Sequence, residues 1–340
     1  MSDEILPSLA RARQASAKGG NGPLWSLIFE TLIRCTTTLV VLVLLFILGT
    51  IFYEGAGHIS WEFLSQPPSE GMTEGGIFPA IFGTVFLVIF MILMALPIGV
   101  FSAVFMVEYA HEGFFKRVIR AAVNNLAGVP SIVFGLFGLG FFVLFVGRNL
   151  DYYALGVPRN AAEAQVIELR RTEVRTAAMK EADARALQEP AYTEFIAQKV
   201  EASAPIPRRV FGQGAMFWAA ATLAILVLPV IIVSTEESLR AVPASVREAA
   251  YALGATKWQV ISTVVLPMAR PGILTGAILA IARGAGELAP ILFIGVVYAA
   301  PNLPLTEPIN FYFFQMPVVN PFLEFMHLNY HIYSLATQST

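Results

Sequence analysis

Charge is scarce in this 340-residue chain: Asp, Glu, Lys and Arg make up 14% of it, against 56% hydrophobic residues. A water-soluble domain carries roughly 25% charged residues, so the composition excludes an ordinary soluble enzyme and points to a membrane protein. Cysteine is almost missing. Cys35 stands alone in an apolar run, which excludes an intrachain disulfide. No lysine (Lys18, Lys116, Lys180, Lys199, Lys257) follows a glycine. The GxxxxGK[ST] loop that cradles ATP phosphates is therefore absent, and the chain does not hydrolyse nucleotide by that route. No Ser/His/Asp or Cys/His constellation gathers, so no catalytic residue and no cofactor is expected. His327 and His331 have the i,i+4 spacing of a metal pair, but no third ligand follows at motif spacing. They read as part of a polar external segment, without metal.

What is present is apolar length. Five runs, about 24–53, 77–107, 121–147, 214–235 and 271–297, each exceed the ~20 residues needed to cross a bilayer. The first follows a polar tail, 1–23, that has neither the short apolar core nor the cleavage site of a removable signal, so it reads as an uncleaved anchor. Residues 53–76 carry Glu54, Glu62, Glu70 and Glu74 and no Lys or Arg, whereas 108–120 carry Lys116, Arg117 and Arg120. Beyond Arg283 there is no Lys or Arg at all. The positive-inside bias then places the N-terminus and the basic connections in the cytoplasm, and the acidic connections and segment 298–340 outside. A long insertion, 148–210, balances Lys and Arg against Asp and Glu, is Ala-rich, and favours helix over 162–187, with pairs such as Glu181 and Arg185 at i,i+4. It reads as an external insertion, either simply solvated or a docking surface.

Between the fourth and fifth runs lies a polar but strongly patterned stretch, 236–270. Ser245 and Glu248 have capping-box spacing behind Pro243; Val246, Ala249, Ala250 and Leu253 define one apolar helix face; Gly254 stands where a left-handed cap belongs. A second box, Thr256 with Gln259, opens another short helix that Pro267 and Pro271 are expected to close. This spacing predicts a folded helix–turn–helix rather than a plain loop.

Arg283 and Glu287 lie inside the last apolar run. A charge at the bilayer centre costs ~2.5–3.5 kcal/mol on insertion scales, so both should face protein or water. Two readings stay open: a charge pair joining two helices, or a station in a solute path whose guanidinium favours an oxyanion. Gly272 and Gly276 form a GxxxG pattern for close helix packing. Pro130, Gly135 and Gly138 in the third run read as a kinked, close-packed helix or as pliable backbone lining a path.

Glu248-Ala249-Ala250, Gly254 and Leu266-Pro267 resemble the EAA loop of ABC importer permeases, with Val264 where the family usually has Ile. GVPSIVFGLFGLG (128–140) and ARGAGELAPILFIG (282–295) are similar to the phosphate importers, and GELAP is closer to the PstA than to the PstC type of subunit. The resemblance implies an all-α polytopic membrane protein of the type I importer permease (MetI-like) fold in a bacterial inner membrane. It implies five visible spans and a sixth missing, since 331–339 are similar to the family's segment before that span. It also implies that the EAA loop docks on a separate ATPase. The partners it implies are a homologous PstC-like permease, two PstB-like ATP-binding subunits, an external PstS-like phosphate-binding protein and membrane lipid, with no nucleic acid. Sulfate or molybdate transport and a non-transporting scaffold or phosphate sensor are the alternatives.

Overall fold

The structure, a computed structural model, describes residues 22–69, 74–205, 207–297, 303–305, 309–311, 314–316 and 319–338. The expectations for most of the tail 1–23, for Lys18, for Glu70 and for the last residues, 339–340, lie outside them. The chain divides into residues 1–64 and 65–340. In the first unit, helix α1 (Gly22–Gly55) exposes its apolar side chains along its length. Cys35 is exposed too.

Among the described residues the second unit is mainly helical, with two small antiparallel ladders, β1 (Pro68–Ser69) with β2 (Glu74–Gly75) and β3 (Ile309–Phe311) with β4 (Phe314–Met316). Its longer helices are α2 (Phe78–Tyr109), α3 (Phe114–Ala127), α4 (Ser131–Leu155), α5 (Ala161–Ala184), α6 (Ala191–Ser203), α7 (Met216–Ala241), α8 (Ala244–Ala252), α9 (Lys257–Gly286) and α10 (Leu328–Gln338). Helices α1, α2, α4, α7 and α9 are long and apolar enough to cross a membrane. The all-α polytopic fold agrees with the sequence reading.

Helix α7 is the centre of the second unit, packed by α2 and α9. Helix α2 buries Gly83, Leu87, Met91, Ala95, Gly99 and Ala103. Four-residue steps from Gly83 to Ala103 align these side chains in one ridge. Small residues toward its end let backbones approach, which is how helices gain contact where lipid removes the hydrophobic driving force. A Cβ on Gly99 would lie 2.6 Å from Ile231 Cγ2. Also against α7, Gly272 and Gly276 of α9 sit directly on Ser238 and Ser234. The Ser234 hydroxyl donates to the Gly272 carbonyl at 3.1 Å. The GxxxG spacing is thus the α7–α9 contact itself. Gly276→Val should lower the thermal unfolding midpoint and the yield of detergent-solubilised protein, because overpacking costs roughly 1–3 kcal/mol. Gly140→Ala, which meets nothing within 4 Å, serves as the control; equal behaviour of the two would contradict the packing assignment.

Several boundaries differ from the sequence reading. The third span begins at Ser131, not 121: residues 121–127 belong to the amphipathic α3, and Pro130, at ψ 137°, caps α4 from outside instead of kinking it. Residues 236–241 continue α7, so the polar connection shrinks to 242–256. The expected Ser245 box does not form, because extended Pro243 starts the helix at Ala244 and places Ser245 within its first turn. Pro267 and Pro271 do not end a helix. A π turn at Ile261–Val265 precedes them, widening the turn where the Pro267 ring would meet the preceding carbonyls. Helix α9 therefore runs through both prolines, and it stops at Gly286 rather than spanning to 297. In the insertion, α5 and α6 fold as a hairpin over Ala178, Ala182, Ile196 and Val200, with Arg185 and Lys199 each 2.6 Å from Glu181.

Candidate functional site

The connection 242–256 is built from local signals. At the end of α8 the Gly254 N–H reaches the Tyr251 carbonyl at 2.9 Å and the Ala255 N–H reaches that of Ala250 at 3.3 Å. This is a Schellman cap, with Gly254 at φ +82°. Thr256 and Gln259 then form the reciprocal capping box that opens α9. The predicted apolar face of α8 is only partly packed within the chain, through Ala250 against the cluster of Leu239, Val260 and Ile261. Val246 and Ala250 are half-buried, Glu248 and Ala249 are exposed, and Leu253 is 89% exposed. Tyr251 and Trp258 are exposed beside them. Leu266 and Pro267 lie half-buried in α9.

Sequence reasoning missed what fastens α8. Arg247 forms an ion pair with Glu108 at the end of α2, and its other terminal nitrogen donates to the Leu239 carbonyl at 2.5 Å. Lys257 donates to the Glu108 carbonyl and lies 4.7 Å from the centre of the Tyr109 ring. Both side chains of the Arg247–Glu108 pair are largely buried, at 20% and 9% exposure. One helix turn away, buried Glu236 of α7 is held by Arg120 of α3 at 3.2 Å and by Arg240 at 3.5 Å. At the start of α3, the hydrogen bond and charge of Lys116 hold the Glu112 carboxyl below its usual range. Nothing in the sequence pairs positions as distant as 108 and 247; a lone Glu ending an apolar run is the one available signal.

Arg283 and Glu287 come together at the other end of α9. Arg283 is in its last turn and Glu287 is the extended residue that ends it, Nε to Oε1 at 3.7 Å. The two therefore meet across a helix end, not along one helix face as the spacing suggests. That end lies deep. A Cβ on Gly284 would run into Met91, at the midpoint of Phe78–Val104, with Val227 of α7 beside it. After Gly286 the chain makes tight turns with a short 3-10 segment, Ile291–Phe293. It is held against α4: Gly135 meets Pro290 and Phe293, and Gly138 meets Thr222 and Ile294. Both glycines are thus close-packing positions. Broken helix at this depth leaves backbone groups without helical partners, which is tolerated only inside protein or beside water. The Asn329 side chain satisfies one of them, donating to the Ala285 carbonyl at 3.0 Å. The remaining Arg283 N–H groups have no partner among the described residues. A guanidinium at a helix C-terminus also complements the helix dipole.

The C-terminal region is packed more closely than its composition suggests. His327 and His331 are buried, because residues 325–331 fold back on α2: the Leu328 N–H donates to Thr84 Oγ1 at 2.9 Å, and Phe325 and Met326 are buried. Among the described residues no group of three His, Cys, Asp or Glu side chains is placed to hold a metal.

Long apolar helices packed around α7, with α9 broken beside the middle of α2 and a charge pair at the break, describe a multi-pass membrane protein. The family described as binding-protein-dependent transport system inner membrane component matches residues 95–319, and the chain belongs to it. The chain is similar to the phosphate transport system permease protein PstA of Mycobacterium leprae (strain TN), 31% identical over 218 residues, 64% of this chain and 50% of that protein. It is 28% identical over 309 residues to the probable ABC transporter permease protein YqgI of Bacillus subtilis (strain 168), covering 88% and 79% of the two chains. The PstA protein of Yersinia pestis is 29% identical over 273 residues, 78% and 69% of the two. The match thus spans about half the length of the Mycobacterium leprae relative.

Proposed function

We propose that this chain is a permease subunit of an ATP-driven phosphate importer and forms half of the translocation path. The observation that carries this reading is the Arg283–Glu287 pair at the mid-depth break of α9, with guanidinium N–H groups that have no partner among the described residues. The names of the PstA relatives support phosphate as the solute. Arg283 pairs transiently with the anion through charge-assisted hydrogen bonds, and Glu287 competes for the guanidinium, keeping the anion weakly held and releasable. Pro130, Gly135 and Gly138 frame the segment that must move.

In this reading, Glu248, Ala249, Ala250, Gly254, Leu266 and Pro267 form a cytoplasmic coupling element. The exposed face of α8, with Leu253 and Trp258, is what docks in a cleft of a separate ATPase. Closure of two such ATPases would push α8, and through α9 rock the spans between inward- and outward-facing states. A homologous permease completes the path and an external binding protein delivers the solute. Radiolabelled phosphate uptake by the assembled complex, challenged with excess sulfate or molybdate, tests the solute: only unlabelled phosphate should compete, and equal competition by sulfate would overturn phosphate selectivity. Glu248→Arg should leave the membrane abundance intact while lowering ATP-driven uptake several-fold and breaking its stoichiometry with hydrolysis. Unchanged coupling would rule out docking through this face.

A further inference from the structure

The base of the insertion holds a second cluster of charge. Arg148, Asn149, Asp151, Arg159 and Arg209 line a cavity of about 210 Å³, with Leu144, Val157 and Pro158 as its apolar wall. The acid among them is already saturated. Asp151 is 1% exposed, and its carboxylate accepts the backbone N–H groups of Val210 at 3.0 Å, Phe211 at 2.8 Å and Gly212 at 2.7 Å. It clasps the two ends of the insertion and makes no ion pair with the arginines among the described residues. Arg159 is held in place by stacking, its guanidinium 3.7 Å from the centre of the Tyr152 ring, and by one bond to Asn149 Oδ1 at 2.9 Å. The guanidiniums of Arg148 and Arg209 have no partner among the described residues.

We infer that this cavity is an anion site for a phosphate group. Three arginines lining one cavity gather like charge around it, and a bound oxyanion would offset that repulsion. Their planar N–H forks match phosphate oxygens in pairs. The cavity is far larger than the roughly 30 Å³ a water occupies, and the Asp151 clasp sets its rim. The donor could belong to inorganic phosphate or to a phospholipid headgroup: Leu144 and exposed Phe145 belong to the apolar span, and Tyr152 and Tyr153 follow at its end, the arrangement of a membrane interface. The site is separate from Arg283, and its occupancy does not depend on what the transporter carries.

The test measures, on the assembled membrane complex, equilibrium binding of radiolabelled inorganic phosphate in phosphatidylcholine discs and retention of phosphatidylglycerol after detergent exchange. The wild-type chain, Arg209→Gln, Arg159→Gln/Arg209→Gln and Arg283→Gln are compared. Arg209→Gln removes an exposed side chain that has no partner among the described residues and so leaves the fold alone. Free phosphate as the ligand predicts saturable binding that weakens at least ten-fold in the double variant and persists in Arg283→Gln. A headgroup ligand predicts phosphatidylglycerol retained by wild type and lost from the double variant. If the double variant holds both ligands as wild type does, there is no such site. Loss of phosphate uptake in Arg283→Gln with this binding intact would separate the two proposals.

Discussion

Arg283→Gln should abolish most uptake by the assembled complex, with at least a ten-fold loss at matched membrane abundance. A hydrogen bond to a charged group is worth about 1.5–3 kcal/mol, which is roughly ten- to hundred-fold in rate at 1.4 kcal/mol per decade. The loss should fall at the upper end, because Glu287 would remain, 20% exposed and unpaired, repelling the arriving anion. Arg283→Lys keeps the charge without the planar fork and should give an intermediate rate. Should the pair serve only to join helices, Arg283→Gln would lower abundance while the uptake per molecule stayed at the wild-type level. Transport and abundance measured together separate the two.

Arg247→Met should uncouple the complex: ATP hydrolysis continues and uptake falls several-fold. Helix α8 has no fully buried residue of its own, so what transmits a push from it is its attachment. That attachment is Arg247 to Glu108, reinforced by Lys257 on the Glu108 carbonyl and the Tyr109 ring. Truncating one partner of a buried pair leaves the other charge unmatched, at about 3–5 kcal/mol. With Glu108 only 9% exposed, the end of α2 would rearrange and lose its grip on α8. Glu108→Gln should resemble Arg247→Met, and combining Arg247→Met with Glu108→Leu should recover part of the stability but not the coupling. Normal uptake per ATP in Arg247→Met would mean that α8 acts through α9 alone.

What could be read from the sequence follows from the range of each interaction. The spans were legible because bilayer thickness sets their length. Gly254 and the Thr256–Gln259 box were legible because caps involve residues three to five apart. Gly272 and Gly276 were legible because only small residues permit such close approach. Arg283 and Glu287 stood out because charge in an apolar run is costly. The failures have equally local reasons. Pro243 moved the helix start two residues earlier, so Ser245 lost its capping position. The π turn at Ile261–Val265 absorbed the prolines expected to break α9. The break at Gly286 had its signals in Gly284, Gly286 and Pro290, but apolar continuity to 297 hid it. The Glu108–Arg247 pair and the burial of His327 and His331 were beyond reach, since both depend on which helices pack together.

The break in α9 should border an aqueous path that the α8 element opens and closes. Gly286 is the place to look: it adjoins the Arg283–Glu287 pair, and a Cβ there meets nothing within 4 Å. In a Cys35→Ser background, Gly286→Cys in the assembled complex can be challenged with a membrane-impermeant thiol reagent from each side, with and without ATP. The expected result is labelling from one side at rest and a change of accessible side when ATP-bound ATPases close. A thiol at 286 that stays unlabelled from both sides in every state would contradict the account.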